Sequence, residues 1–156
     1  MSARVPGAPV TVLALIDQMA ARPDAAGLRF SDGFGQGTTN AFDEAAWLVL
    51  WQLGLPLDDL DSVENMPVTE ADQAQVAILL EARIATRKPA AYLTNEAWLM
   101  GVPFYVDERV IIPRSFIAEL LIEGSIDPWL SDKTQHVLDL CTGNGSLAVL
   151  AAMTYP

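Results

Sequence analysis

The residues best suited to holding a ligand are Asp139-Leu140-Cys141-Thr142-Gly143-Asn144-Gly145. A carboxylate stands near the end of an apolar run, and two glycines follow with small polar residues around them. Where a strand stops at glycines and feeds a helix N-terminus, a crevice opens at the strand's carboxyl end. The glycines let a ligand approach the backbone, and Asp139 can accept hydrogen bonds from a cationic or hydroxyl-bearing one. Two glycines alone are a weak signal, because an ordinary strand-to-helix turn uses the same pair. The third glycine of the dinucleotide fingerprint is lacking. Ala148 stands there, a tolerated variant.

Positioning this loop requires a strand before it and a helix after it. Val137, Leu138 and Leu140 predict a short buried strand. Ser146 is the expected helix N-cap, with Leu147, Val149, Leu150 and Met153 as the apolar face. Cys141 is expected to pack as a buried thiol under the loop, and His136 to be a polar residue at the strand edge. As the single cysteine, Cys141 excludes an internal disulfide and a cysteine metal cluster, and no metal ligands are assigned. That usage fits a reducing cytoplasm.

The rest of the chain must supply a core and a partner surface. Hydrophobic residues make up 51% of the 156, enough to bury one. No apolar run reaches the roughly 18 residues of a membrane helix. Near the N-terminus Pro6 and Pro9 interrupt the apolar stretch, and no small-residue cleavage pattern precedes Asp17-Gln18, so no signal peptide is expected. The formal net charge is −11 and unevenly spread: residues 1–82 hold 3 basic and 12 acidic side chains, residues 83–156 hold 6 and 8. Such a front half repels phosphate backbones, so no nucleic-acid site is expected. It would attract a basic protein, although acidity also simply keeps a domain soluble.

In order, residues 1–9 read as a loose tail. A helix follows from Val10 to Ala21, with Leu13, Ile16, Met19 and Ala20 on one face, ended by Arg22-Pro23. Phe30 to Asn40, with Gly33, Gly35 and Gly37, has no lysine after its glycines and no strand before them; it is a connection, not a phosphate loop. Asn40 caps a helix to Leu53, with Asp43 and Glu44 in its first turn and Gly54 as its stop. Phe42, Ala46, Val49 and Leu53 form its stripe, and Trp47 and Trp51 an adjacent, packed pair. Asp58 to Glu64 forms about one turn. Thr69 opens another helix to about Arg87, with Val76, Leu79, Leu80, Arg83 and Ile84 on its apolar face. Arg83, Arg87 and Lys88 suit its C-terminal dipole by default, and could equally clamp an acidic group.

After Pro89 the pattern changes. Glu96–Met100 and Phe104–Val106 read as a β-hairpin turning at Gly101-Val102-Pro103. Val110-Ile111-Ile112 is a further extended run closed by Pro113. Phe116 to Glu123 reads as a helix, with Ile117, Leu120 and Leu121 apolar.

Taken together, RKPAAYLTNEAWLMGVPFYVDERVIIPRS and VLDLCTGNGSLA resemble the glutamine methyltransferases that modify translation proteins. The resemblance implies methyl transfer from S-adenosylmethionine to a glutamine side-chain amide. It also implies a small helical front domain, a hairpin linker and a Rossmann-like catalytic domain. The expected organisation is α+β: residues 1–88 helical, 89–115 linker, and 116–156 the first strand, loop and helix of the catalytic domain. Ser115-Phe116-Ile117-Ala118-Glu119-Leu120 after Pro113-Arg114 is closer to the branch acting on the third large-subunit ribosomal protein. The release-factor branch, with Pro-x-Thr-Glu there, is the alternative. The implied substrate is a basic ribosomal protein.

By the resemblance, Asp139, Thr142, Gly143, Asn144 and Gly145 line the methionine side of the cofactor. Phe104 and the Pro113-Arg114 corner sit near the active-site mouth, unless Arg114 simply pairs with an acidic neighbour such as Glu119. The family's ribose-binding acidic residue and its amide-holding Asn-Pro-Pro-Tyr segment are not among these residues, so no catalytic residue is assigned. The chain alone is expected to be inactive. A lone parallel strand leaves its backbone unpaired, so residues 136–156 are expected to be poorly ordered, packed opportunistically or paired with a second copy. Two other classes stay open: an acidic helical module that binds a basic translation protein, and a dinucleotide-binding oxidoreductase fragment, which the Pro-Arg hairpin disfavours.

Overall fold

The computed structural model describes residues 9–25 and 40–156. The tail expected over residues 1–9 falls almost wholly outside them, as does nearly all of the glycine-rich connection from Phe30. The chain divides into two compact units, Met1–Thr94 and Asn95–Pro156.

The first unit is helical. Helix α1 (Val12–Ala25) runs two residues past Pro23, where the sequence predicts an end. Proline removes a donor but holds a helical φ, and here it lies in the final turn. The first N–H groups of a helix need outside acceptors. Val12 N–H donates to Met66 O at 3.0 Å and Leu13 N–H to Glu64 O at 3.0 Å. Thr11 and Pro67 form an isolated antiparallel bridge beside them. Helix α2 (Ala41–Leu53) is capped by Asn40, whose side chain accepts from Asp43 N–H at 2.9 Å. It ends at Gly54 in the left-handed conformation (φ 64°), a backbone that favours glycine. Asp59 caps the single turn α3 (Leu60–Val63), and Thr69 caps α4 (Glu70–Thr86) by accepting from Asp72 N–H at 3.1 Å. A short helix, α5 (Ala90–Thr94), closes the unit.

Val12, Leu15, Ile16, Ala45, Leu48, Val49, Val76 and Leu80 form the core. The face of α2 differs from the expected stripe: Ala41, Glu44, Ala45, Leu48 and Val49 are buried, while Phe42 is exposed. Trp47 packs against the core from its edge. A second correction concerns charge. Glu44 does lie in the first turn of α2 and Arg83 in the last turn of α4, but neither is at the surface. Both are buried, and Arg83 Nε donates to Glu44 Oε2 at 3.0 Å, joining α2 to α4. Burial pushes the Glu44 carboxyl above its ordinary pKa, and the Arg83 charge opposes that rise.

The second unit opens with the hairpin. Strands β1 (Glu96–Leu99) and β2 (Val102–Tyr105) pair antiparallel, Glu96 opposite Tyr105 and Leu99 opposite Val102. The turn is the two residues Met100 (φ 51°) and Gly101 (φ 76°), so Val102 and Pro103 lie in a strand rather than in the turn. Two positive φ values make the tight turn whose twist matches a hairpin. Asn95 extends the pairing: its Nδ2 donates to Val106 O at 3.0 Å, and Val106 N–H to Asn95 O at 3.3 Å. Val110–Ile112 joins no strand.

Ser115 caps α6 (Phe116–Ile122) by accepting from Ile117 N–H at 3.1 Å. A 3-10 turn (Asp127–Trp129) and a long irregular segment lead to α7 (Ser146–Thr154). Ala118 and Leu121 of α6 pack on Leu150 and Ala151 of α7. Ile117 and Leu120, expected inside, are exposed, as are Val149 and Met153 of α7. Each helix covers one stripe of the other, and Leu99, Val102 and Phe104 of the hairpin pack against the same cluster.

Among the described residues no helix is long and apolar enough to cross a membrane. Nor is any group of three or more His, Cys, Asp or Glu side chains placed to hold a metal ion.

Candidate functional site

The stretch before the glycine loop is not the buried strand predicted. Val137, Leu138 and Leu140 are each more than 70% exposed, and no strand is assigned there. A strand persists only where a neighbour takes its hydrogen bonds and covers its faces. Among the described residues no such neighbour lies beside it.

The turn and helix do form. Thr142 Oγ1 donates to Asp139 O at 2.7 Å, and Gly145 N–H to Thr142 O at 2.9 Å, folding the loop back on itself. Gly143 (φ 62°) and Gly145 (φ 86°) are left-handed. A Cβ at either would meet its nearest atom at 3.9 Å, an ordinary contact, so the backbone conformation rather than crowding calls for glycine. Cys141 shares that conformation (φ 61°) and is exposed, not packed under the loop. His136 is exposed too.

The helix start also differs. Gly145, not Ser146, is the N-cap, and it has no side chain to cap with. Asn144 does this work, its Oδ1 accepting from Ser146 N–H at 3.3 Å. That bond fixes which way the Asn144 amide faces, leaving its NH2 as the unused donor. Asn144 Nδ2 and Asp139 Oδ2 are both shielded from water, and neither has a hydrogen-bond partner among the described residues. Buried polar atoms ordinarily find partners, so two orphans of opposite polarity in one loop make it a candidate to meet a ligand. One is a donor and one an acceptor, which suits the carboxylate and ammonium of a free amino-acid group. The residues present therefore fit the methionine end of S-adenosylmethionine.

Beside the loop is a cavity of about 460 Å³ lined by Phe104, Tyr105, Asp107, Arg109, Val110 and Asn144. Phe104 and Asn144, both anticipated from the sequence, are brought together here. Pro113 is buried and Arg114 exposed, and neither lines the cavity. Arg114 makes no ion pair with Glu119 among the described residues. Asp107 and Arg109 are the lining residues that sequence reasoning missed. Arg109 Nε donates to Asp107 Oδ1 at 2.9 Å and its Nη2 to Oδ2 at 2.6 Å, a two-pronged pair. Those bonds hold the Asp107 carboxyl well below the usual carboxylate range. The signal was an acid and a base two apart after a strand, too common to single out.

No protein-family model matches the chain. A ribosomal protein uL3 glutamine methyltransferase of Bordetella pertussis is 52% identical over 124 residues, covering 78% of this chain and 41% of that protein. One of Burkholderia pseudomallei is 50% identical over 133 residues, covering 82% and 43%. One of Bradyrhizobium diazoefficiens is 45% identical over 130 residues, covering 79% and 41%. The chain thus spans about two-fifths of the length of these curated relatives.

Proposed function

We propose that this chain, a relative of the ribosomal protein uL3 glutamine methyltransferases over about four-fifths of its own length, carries the donor-holding loop of such an enzyme. The activity is methyl transfer from S-adenosylmethionine to a glutamine side-chain amide of a large-subunit ribosomal protein, in the cytoplasm. The relatives, all ribosomal protein uL3 glutamine methyltransferases, support that branch over the release-factor one. The glycine loop feeding α7 is read as the start of a Rossmann-like catalytic domain.

When bound, the donor supplies an electrophilic methyl group. The work of these residues is to hold the donor still. Asp139 would accept from its ammonium, Asn144 would donate to its carboxylate, and the turn at Thr142, Gly143 and Gly145 would present backbone to it. The observation that carries the reading is the pair of shielded, unpartnered atoms, Asp139 Oδ2 and Asn144 Nδ2.

Titration of the chain with S-adenosylmethionine, followed by NMR at the amides of Asp139 to Ser146, tests it. Shifts confined to that loop are expected. A response to a nicotinamide nucleotide with none to S-adenosylmethionine would overturn the reading in favour of an oxidoreductase. Methyl transfer by these 156 residues alone to ribosomal protein uL3 is expected to be negligible. The implied ribose-binding acid and amide-holding segment are not among them.

A further inference from the structure

The two faces of the hairpin have opposite fates. Side chains alternate across a strand, and the register puts Glu96, Trp98, Pro103 and Tyr105 on one side and Ala97, Leu99, Val102 and Phe104 on the other. The second set is turned inward: Ala97 is buried, and Leu99, Val102 and Phe104 pack on the α6–α7 cluster. The first set faces water, with Trp98 48% and Tyr105 66% exposed. Aromatic rings grouped on one exposed sheet face are costly to leave in water and are the residue types that dominate binding surfaces. The indole is also held in place. Trp98 Nε1 donates to Glu96 Oε1 at 2.7 Å, which uses the ring's only donor and leaves its π face as what it offers. Trp98 lies opposite Pro103 and diagonal to Tyr105, a spacing of about 7–8 Å that one long side chain can bridge.

The charge around this face selects its partner. Residues 95–156 hold 8 acidic and 3 basic side chains. One of those three, Arg109, is already engaged by Asp107. We propose that the outer face of the hairpin is a docking surface for a cationic segment of a partner polypeptide, with an arginine side chain laid across the Trp98 and Tyr105 rings. A cation over a ring face is attracted by the ring's quadrupole, most strongly by that of tryptophan. A guanidinium also stacks flat on an aromatic face, which an ammonium does not. The aliphatic stem covers ring and proline surface while the charged end stays in water. The excess negative charge of the unit steers such a segment in and repels an acidic one. The face needs no ligand in the glycine loop to do this.

The test uses the whole chain and a short glycine–serine peptide bearing arginines. The same peptide bearing citrulline, the uncharged isostere, is its control. Binding is followed by NMR at the Trp98 indole N–H and the Tyr105 amide. The arginine peptide should move both, and should bind at least about five-fold more tightly than the citrulline peptide at low salt, an advantage that shrinks as salt is raised. Two variants, read at the Tyr105 amide, separate the ring from its area. Trp98→Phe keeps a π face and should keep most of the advantage, whereas Trp98→Leu keeps apolar area without one and should lose most of it. Equal affinities for the two peptides in the wild-type chain, binding that leaves the Trp98 and Tyr105 resonances unmoved, or an advantage undiminished in Trp98→Leu would overturn the proposal. So would concentration-dependent movement of the same resonances in the peptide-free chain, which would mean that a second copy covers the face.

Discussion

The two units hold comparable local signals but end very differently. In Met1–Thr94, caps at Asn40, Asp59 and Thr69 start helices whose apolar faces close on each other, and even a charged pair is sealed inside. In Asn95–Pro156, Ser115 and Asn144 start helices just as well, yet Phe116, Trp129, Leu138 and Leu140 lie open to water. Local chemistry starts an element wherever the cap and the φ angles allow. Burial needs a neighbour, and the second unit has few among the described residues. The candidate site belongs to that less closed unit, and its loop holds two shielded polar atoms without hydrogen-bond partners among the described residues.

The largest effect expected from this contrast is in the first unit. Glu44→Ala leaves the Arg83 guanidinium buried without its counter-ion, which costs about 3–5 kcal/mol. Replacing both residues with aliphatic ones of similar volume should recover much of that loss, because the pair is itself costly to desolvate. Urea unfolding of the single and double variants checks this. A Glu44→Ala chain as stable as wild type would mean that the two side chains are not sealed together.

Next comes a matched pair of truncations. Leu48→Ala, in the first core, is expected to cost about 2–5 kcal/mol. Leu138→Ala should change stability by less than about 0.5 kcal/mol, since that side chain is already in water. Hydrogen exchange sharpens the point. The amides of Val137 to Leu140 donate to no backbone acceptor among the described residues and should exchange fast, whereas those of α2 should be slow. Strong protection at Val137 would show that the segment has found a strand partner.

These contrasts also explain what the sequence could and could not disclose. Caps and stops were legible because they are local: Asn40, Thr69 and Gly54 act within a turn of themselves. The hairpin was legible in place but not in its turn, since a left-handed Met100 carries no signature. The Glu44–Arg83 pair was not legible, because its partners are 39 residues apart and each had a surface role to hand. Asp139, Asn144 and Phe104 were found through motif and resemblance. Asp107 was not, because its importance arises only when Arg109 folds back on it. The buried strand at Val137 failed for the reason that governs the whole second unit: periodicity states which face wants cover, not whether cover exists.

A smaller effect is expected at Cys141, whose left-handed backbone costs an ordinary side chain about 1–2 kcal/mol. Cys141→Val places a β-branched residue where such residues are genuine outliers. It should lower the melting of α7 and weaken donor binding, while Cys141→Gly leaves binding unchanged. Calorimetry with S-adenosylmethionine separates the two. Equal binding by both variants would mean that the loop reaches its working shape without a left-handed residue at 141.

The least expected change follows acidification of the hairpin's end. The Asp107 pKa is lowered by its bonds to Arg109, so the folded chain holds fewer protons on this group than the unfolded chain does. Its contribution to stability is therefore complete above the unfolded carboxylate pKa and is lost as pH falls through the folded value. In the pH window where free aspartates titrate, Asp107 should stay ionised. NMR titration of the side-chain carboxyl carbons follows each group separately. The same titration on Arg109→Gln should return Asp107 to the ordinary range. If Asp107 instead titrates with the other aspartates in the wild-type chain, the pair is open in solution.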